Sequence, residues 1–530
     1  MKSRLELLGL VSLVFGALLV LHLPFLLLPY FWDEAGYYVP AALDFYRHGL
    51  LIPRLTLPTG HTPLVIVYLG AVWHLIGFSP ASTRVAMILI AAAAVVATYA
   101  LACQVRGREA GFWAAALLAL SPLFFAQSSL VFLDLAAALF TTLAVLFALR
   151  RRWGMVALTV SLAVLSKETA IIVLPVVWMF MLFRARERHA RAWTLSTIPV
   201  AVLVAWALYY RSRTGFWTGN AGYLQYNLYG AMTPLHAARS LVARIAEILV
   251  QGFNWVVVAG AVAGAWWVRR RRKGETDRGD HSPLPRGEGV RGTQAGEGSF
   301  SLLGPSRSQV TFGDFVFLSA GLIGVYIVVL SVVGGAILPR YMLPAFPVSY
   351  VLIIAFMMRL PKHASRALCL VALACFVSSW FINPPYPFPY EDNLAYASFI
   401  RLHQRAAKFL ETLPGDPTIL TAWPATDELK TPFLGYVSHP LHVVPVEDFT
   451  PAALADPPRF DVLYIYSRQW APAGNWFATV RPLRTIARRF YAYGPAEKPA
   501  ALAACLHLRL LKQFRERGQW VKIYAALNHR

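Results

Sequence analysis

The sequence predicts a polytopic α-helical membrane protein of about eleven spans, followed by an extramembrane α/β unit. Three observations carry this. Hydrophobic residues make up 57% of the 530 residues and charged residues 14%, where a soluble chain carries about a quarter charged. Apolar runs recur, several of them near the ~20 residues that cross a bilayer. Basic clusters stand between those runs, at Lys2/Arg4, Arg106/Arg108, Arg150–Arg152, Arg184–Arg191, Arg269–Lys273 and Arg359–Arg366. That is the positive-inside pattern. It accounts for a formal charge of +22 without nucleic acid, which is not expected as a partner.

The elements follow in order. Leu7–Leu28 is the first span, retained because no small-residue cleavage site follows it. The later runs are Val85–Ala102, Phe112–Phe125, Leu135–Leu149, Met155–Leu165, Ile171–Phe183, Ile198–Tyr209, Trp255–Val268, Phe315–Val333, Met342–Met358 and Ala367–Phe381. Between the first two lies Pro63–Phe78, which is short and contains His74. If it crossed, every later basic cluster would fall outside. If it lies in the interface, all of them fall inside. The N-terminus is therefore expected in the cytoplasm, and Pro63–Phe78 is expected not to cross. Asp33/Glu34, Asp134, Lys167/Glu168, Arg340 and the chain after Phe381 then share the outer face of a bacterial inner membrane.

The module is expected to occupy residues 1–385. Within it, 274–308 is rich in Gly, Ser, Pro and charge without an apolar period, and is expected to be a disordered cytoplasmic loop. Residues 391–530 hold 17 Lys/Arg against 12 Asp/Glu and no spanning run. Helix-like stretches (Tyr396–Thr412, Pro499–Arg515) alternate there with strand-like ones (Thr418–Trp423, His442–Val446, Val462–Tyr466, Trp520–Tyr524), as in a small periplasmic α/β domain. Cys103, Cys369, Cys375 and Cys505 form no disulfide framework.

Few residues are suited to chemistry. Asp33 and Glu34 follow the first span in "PYFWDEAGYY"; they either mark the water side of an aromatic belt or serve a site there. Asp134 in "VFLDLAAALF" is either a helix cap or a second acid on the same face. Lys167 in "VLSKETA", Arg340 in "AILPRYMLP" and Arg84 in "STRVAMIL" either snorkel to headgroups or hold an anion such as a lipid phosphate. His48, His61 and His74 show no metal-ligand spacing. No phosphate-cradling glycine loop or GxSxG is present, so neither a nucleotide-driven pump nor a serine hydrolase is supported.

Taken in order, "FWDEAGYY", "GHTPL", "TRVAMIL", "LVFLDLAAALF", "LSKETA" and "LPRYMLPAFP" resemble the GT-C membrane glycosyltransferases. These include the protein O-mannosyltransferases and the lipid A aminoarabinose transferase. The resemblance covers roughly residues 1–385. It implies a hexosyl- or pentosyltransferase that moves a sugar from a polyprenyl-phosphate donor to a hydroxyl of a lipid, glycan or protein. It assigns Asp33, with Glu34 beside it, to the essential acid of the first external loop, and Asp134 to a second external Asp. Arg340 and Lys167 match the family's cations, and Arg84 joins them at the donor phosphate. His61 stands where the family has a Lys or His before a Pro-Pro or Pro-Leu step, here His-Thr-Pro-Leu, and is placed with those cations at the donor phosphate. No cofactor is required; Asp134 is expected either to orient the acceptor or to help hold a divalent metal. The competing readings are a lipid or solute transporter or flippase without chemistry, disfavoured because no internal repeat is visible, and a membrane anchor for an envelope-binding domain.

Overall fold

The structure, a computed structural model, describes all residues except 1, 220–231, 278–309, 334, 385, 451–452, 456, 471–479, 483, 486–498 and 527–530. The expected disordered loop at 274–308 falls almost entirely outside the described residues; its first residues continue the helix Asn254–Asp277.

Among the described residues, seven helices are long and apolar enough to cross a membrane, and three shorter apolar ones accompany them. Leu64–Ile76 is one of the short ones. Its 13 residues give a rod of about 20 Å, under a bilayer's ~30 Å core. The helix Pro80–Arg106 shows how local chemistry sets a boundary. Ser79 and Ser82 cap each other's backbone N–H at 3.1 and 3.0 Å, and Pro80 opens the first turn. The run expected over Phe112–Phe125 is broken. Helix Arg108–Leu120 stops at Ser121, and Pro122, which has no N–H to continue it, starts the short helix Pro122–Gln127. Lys167 occupies the expected gap, in extended conformation between Trp153–Ser166 and the turn Glu168–Ile172. One helix was not legible in the run pattern. Pro234–Leu249 buries Ser240, Ala243, Arg244, Glu247 and Ile248 on one side and exposes Leu241, Val242, Ile245 and Leu249 on the other.

The first loop is pinned at several points. Helix Val39–His48 ends at Gly49, whose φ of 66° favours glycine. The backbone N–H groups of Arg54 and Leu55 donate to Asp44 at 2.6 and 2.7 Å. Thr62 donates to the carbonyl of Val164 at 2.7 Å.

The C-terminal unit is built on a five-stranded sheet of order β2-β1-β3-β5-β4, with β1 Ile419–Ala422, β2 Val443–Val446, β3 Val462–Tyr466, β4 Leu508–Glu516 and β5 Gln519–Ala526. Strands β1, β2 and β3 run parallel; β5 is antiparallel to β3 and pairs with β4 in a hairpin. Helix Ala395–Leu410 packs on that hairpin. The helical reading of Pro499–Arg515 is corrected: the helix stops at Cys505 and Leu508–Glu516 is a strand. Its Leu-rich sequence suits either state, and pairing with β5 decides it.

The sheet unit is docked on the segment that leaves the first helix. Tyr436 donates to the carbonyl of Tyr30 at 3.0 Å, and the N–H of Tyr30 to Leu434 at 3.3 Å. The rings of Trp32 and Trp423 meet edge to face at 5.5 Å. Gly36 is the close approach: a Cβ there would lie 2.8 Å from the Trp423 indole nitrogen.

Candidate active site

Asp33 and Glu34 are adjacent in sequence and separate in role. Trp32 turns the chain with φ of 48°, a conformation a bulky residue adopts only under constraint. One wide helical turn, Glu34–Tyr38, follows and is closed by the N–H of Val39 on the Glu34 carbonyl. The turn sends the two carboxylates in different directions.

Glu34 points into the protein and has no exposure. Its Oε2 accepts from the N–H of Phe31 at 2.7 Å and its Oε1 from the N–H of Val131 at 2.6 Å. Arg84, also without exposure, donates to Glu34 at 3.2 Å and to the carbonyls of Ser129 and Pro29 at 2.7 and 2.8 Å. This corrects two expectations. Arg84 is not open to a lipid phosphate, and Glu34 is not open to a substrate; together they tie residues 28–34 to 129–131. The reason is that two buried charges are tolerated only when they are paired and further hydrogen-bonded.

Asp33 keeps 17% of its side chain exposed and is paired with Arg340. The guanidinium carbon of Arg340 lies over Phe132, 4.0 Å from the ring centre, and the guanidinium also donates to Glu391 Oε2 at 3.2 Å. Arg340 comes from the turn Pro339–Ala345, and Glu391 from Tyr390–Asp392, beyond the last membrane helix. Burial and the nearby Asp33 and Asp134 carboxylates, against the pull of Arg340, push Glu391 up to about 7.

Asp134 lies in the first turn of Leu133–Leu149 but caps nothing; the cap position belongs to Phe132. Instead Asp134 accepts from Lys167 Nζ at 2.6 Å. The ammonium sits 4.1 Å above the ring of Tyr341, and the Arg340 guanidinium lies 5.4 Å from the same ring. Tyr341 thus joins the Asp134–Lys167 pair to the Asp33–Arg340–Glu391 triad. His61 pairs with Glu168, the neighbour of Lys167, at 3.0 Å.

The structure therefore brings Asp33, Asp134, Lys167 and Arg340 to one end of the bundle, places His61 at its edge, and removes Glu34 and Arg84 into the scaffold. Sequence reasoning missed Glu391 and Tyr341. It also missed Arg244, which donates to the Leu338 carbonyl at 2.7 Å and so holds the chain just before Arg340. A signal for Glu391 exists: "PYED" follows the last span as "FWDE" follows the first. Among the described residues no group of three His, Cys, Asp or Glu is arranged to hold a metal ion. Asp134 is engaged by Lys167.

Residues 60–211 match the family model of dolichyl-phosphate-mannose-protein mannosyltransferases. The fold is similar to that of ArnT from Cupriavidus metallidurans bound to undecaprenyl phosphate, at 13% identity and a TM-score of 0.56, covering 97% of this chain and 98% of that one. The apo state of the same protein matches at 14% identity and a TM-score of 0.51, with the same coverage. No curated protein sequence matches the chain. The GT-C resemblance read from the motifs holds in both the family model and the fold, and the chain is a multi-pass membrane protein of that architecture.

Proposed function

We propose that this chain is a membrane glycosyltransferase that moves a sugar from a polyprenyl-phosphate donor to an acceptor hydroxyl at the periplasmic face. One observation carries the reading: a partly open carboxylate, Asp33, shares an otherwise buried cluster with Arg340 and Lys167, where several helices end. The motif order, the family model over 60–211 and the fold support the same class.

Asp33 takes the proton of the acceptor hydroxyl as that oxygen attacks the anomeric carbon. The bond from that carbon to the phosphate oxygen breaks, and polyprenyl phosphate departs with the electron pair. Arg340 and Lys167 stabilise the departing charge, and the low dielectric of the site strengthens the interaction. A phosphate so held needs no proton to leave, so one base suffices. Asp134 orients Lys167 through their hydrogen bond, and Tyr341 and Phe132 support the Lys167 ammonium and the Arg340 guanidinium from below. Arg340 covers Asp33; once the phosphate draws the guanidinium away, the carboxylate is uncovered and becomes more basic.

The test is incubation of membranes with labelled polyprenyl-phosphate sugar. A transferase releases free polyprenyl phosphate only when acceptor is present. Movement of intact donor across the membrane without release is the transporter's signature and overturns the reading.

A further inference from the structure

Arg340 faces more carboxylate than one guanidinium neutralises. Asp33 holds it on one side and Glu391 on the other. Glu391 is 4% exposed, and its second oxygen, Oε1, is buried without a hydrogen-bond partner among the described residues. The next residue repeats the pattern, since Asp392 Oδ1 is also buried and unpartnered. Bare buried carboxylate oxygens are costly. A neighbouring carboxylate raises the cost, and a proton relieves it.

The charged groups facing Glu391 are Arg340, Asp33, Asp134 and Lys167; Asp392 is adjacent and faces Glu247 in turn. Counting Glu391 itself, three acids face two cations, and an entering phosphate adds a further negative charge. The backbone of Glu391 is fixed independently, because Gln127 Nε2 donates to its carbonyl at 3.2 Å. The side chain can therefore change partners without moving the turn.

We propose that Glu391 is a positioning residue that holds Arg340 in reserve and releases it to the donor's phosphate by taking up a proton. The proposal rests on the reading above, that this site takes a polyprenyl phosphate. The terminal Arg340 N–H groups are divided between Asp33 and Glu391. The phosphate competes for the same groups. When they turn to it, Glu391 loses its counter-charge and one carboxylate plus one solvent proton becomes one carboxylic acid. The cost of stranding a buried carboxylate is removed, and donor binding becomes coupled to proton uptake near neutral pH. The upward push on Glu391 toward about 7 places that coupling where it operates.

The experiment measures polyprenyl phosphate binding to the full-length protein in lipid nanodiscs, for wild type and Glu391→Gln, at pH 6 and pH 8.5. Comparing the two proteins at one pH cancels the ligand's own ionisation. At pH 6 the two should agree within about twofold. Above neutrality wild type should weaken relative to the variant, by up to about tenfold per pH unit, the limit for one coupled proton. A variant that binds more weakly at both pH values makes Glu391 a simple anchor for Arg340 and overturns the proposal. An equal pH dependence in both proteins overturns it too. Failure of wild type to bind polyprenyl phosphate at either pH overturns the functional reading itself. Should Glu391→Gln not fold, calorimetry of wild type in two buffers of different ionisation enthalpy decides. Net uptake of protons supports the proposal, because a phosphate binding to cations releases them. Net release overturns it.

Discussion

Glu34 and Arg84 form a fully buried ion pair, 3.2 Å apart, in which the carboxylate also accepts two backbone N–H groups. The acid next to the proposed base is therefore part of the frame that positions it. Removing either partner strands a buried charge, which costs about 3–5 kcal/mol. Glu34→Ala and Arg84→Ala are each expected to lower membrane abundance several-fold. The double variant should be no worse than the weaker single one, since neither charge is left alone. Immunoblotting of membranes measures this. Full abundance of Glu34→Ala with lost transfer would return Glu34 to the catalytic group.

Rare charges at the ends of apolar runs are visible in one dimension, and this is why Asp33, Asp134, Lys167 and Arg340 are legible in the sequence. Pairing is not. Arg84 and Arg340 both stand near helix ends; only the packed structure separates the one sealed against Glu34 from the one facing Asp33. Glu391 escaped because it lies beyond the membrane module, about 50 residues after its partner Arg340. The helix Pro234–Leu249 escaped because Arg239, Arg244 and Glu247 break its apolar run in the sequence, although Arg244 and Glu247 are buried. The strand Leu508–Glu516 took its state from a neighbour in space, Gln519–Ala526. The alternation of basic clusters was enough to group the site residues on one face before any coordinates.

That grouping makes a topological prediction. Cys505 is exposed on the C-terminal unit, and Glu109 sits at the opposite, basic end of the bundle, paired with Arg366. In a variant with Cys505 as the single cysteine, a membrane-impermeant thiol reagent should label intact spheroplasts. In a cysteine-free background, Glu109→Cys should react only after permeabilisation. The reverse pattern would put the site on the cytoplasmic side.

Asp427 offers a pH test of how the sheet unit docks. Its carboxylate accepts from the Trp423 indole at 3.0 Å, and burial pushes it from 3.8 to about 6. The folded protein thus binds more protons than the unfolded chain between those values. Stability attributable to Asp427 falls as pH rises through that window and stays low above it. Asp427→Asn keeps the acceptor and has no charge to bury. Its thermal midpoint should match wild type near pH 4 and exceed it at pH 7, read by tryptophan fluorescence on the full-length protein. A gap that does not widen between these pH values would mean the carboxylate is not penalised by burial.

Asp33 carries the central prediction. Asp33→Asn preserves size and an acceptor oxygen for Arg340 but cannot take a proton. Transfer should fall by roughly 10²–10⁴-fold, the range for a positioned general base. Abundance should hardly change, because the side chain is 17% exposed and Arg340 retains Glu391 at 3.2 Å. Arg340→Ala separates the two roles. It uncovers Asp33 but removes the cation that meets the phosphate, so the donor KM should rise and kcat should fall together. Initial rates against donor concentration, corrected for protein level, give both parameters. A residue that only marks the interface tolerates Asn, so near-full transfer by Asp33→Asn at normal abundance would remove Asp33 as the base. Glu34 and Glu391 are already committed to Arg84 and Arg340, which would leave Asp134, released from Lys167, as the carboxylate to test next.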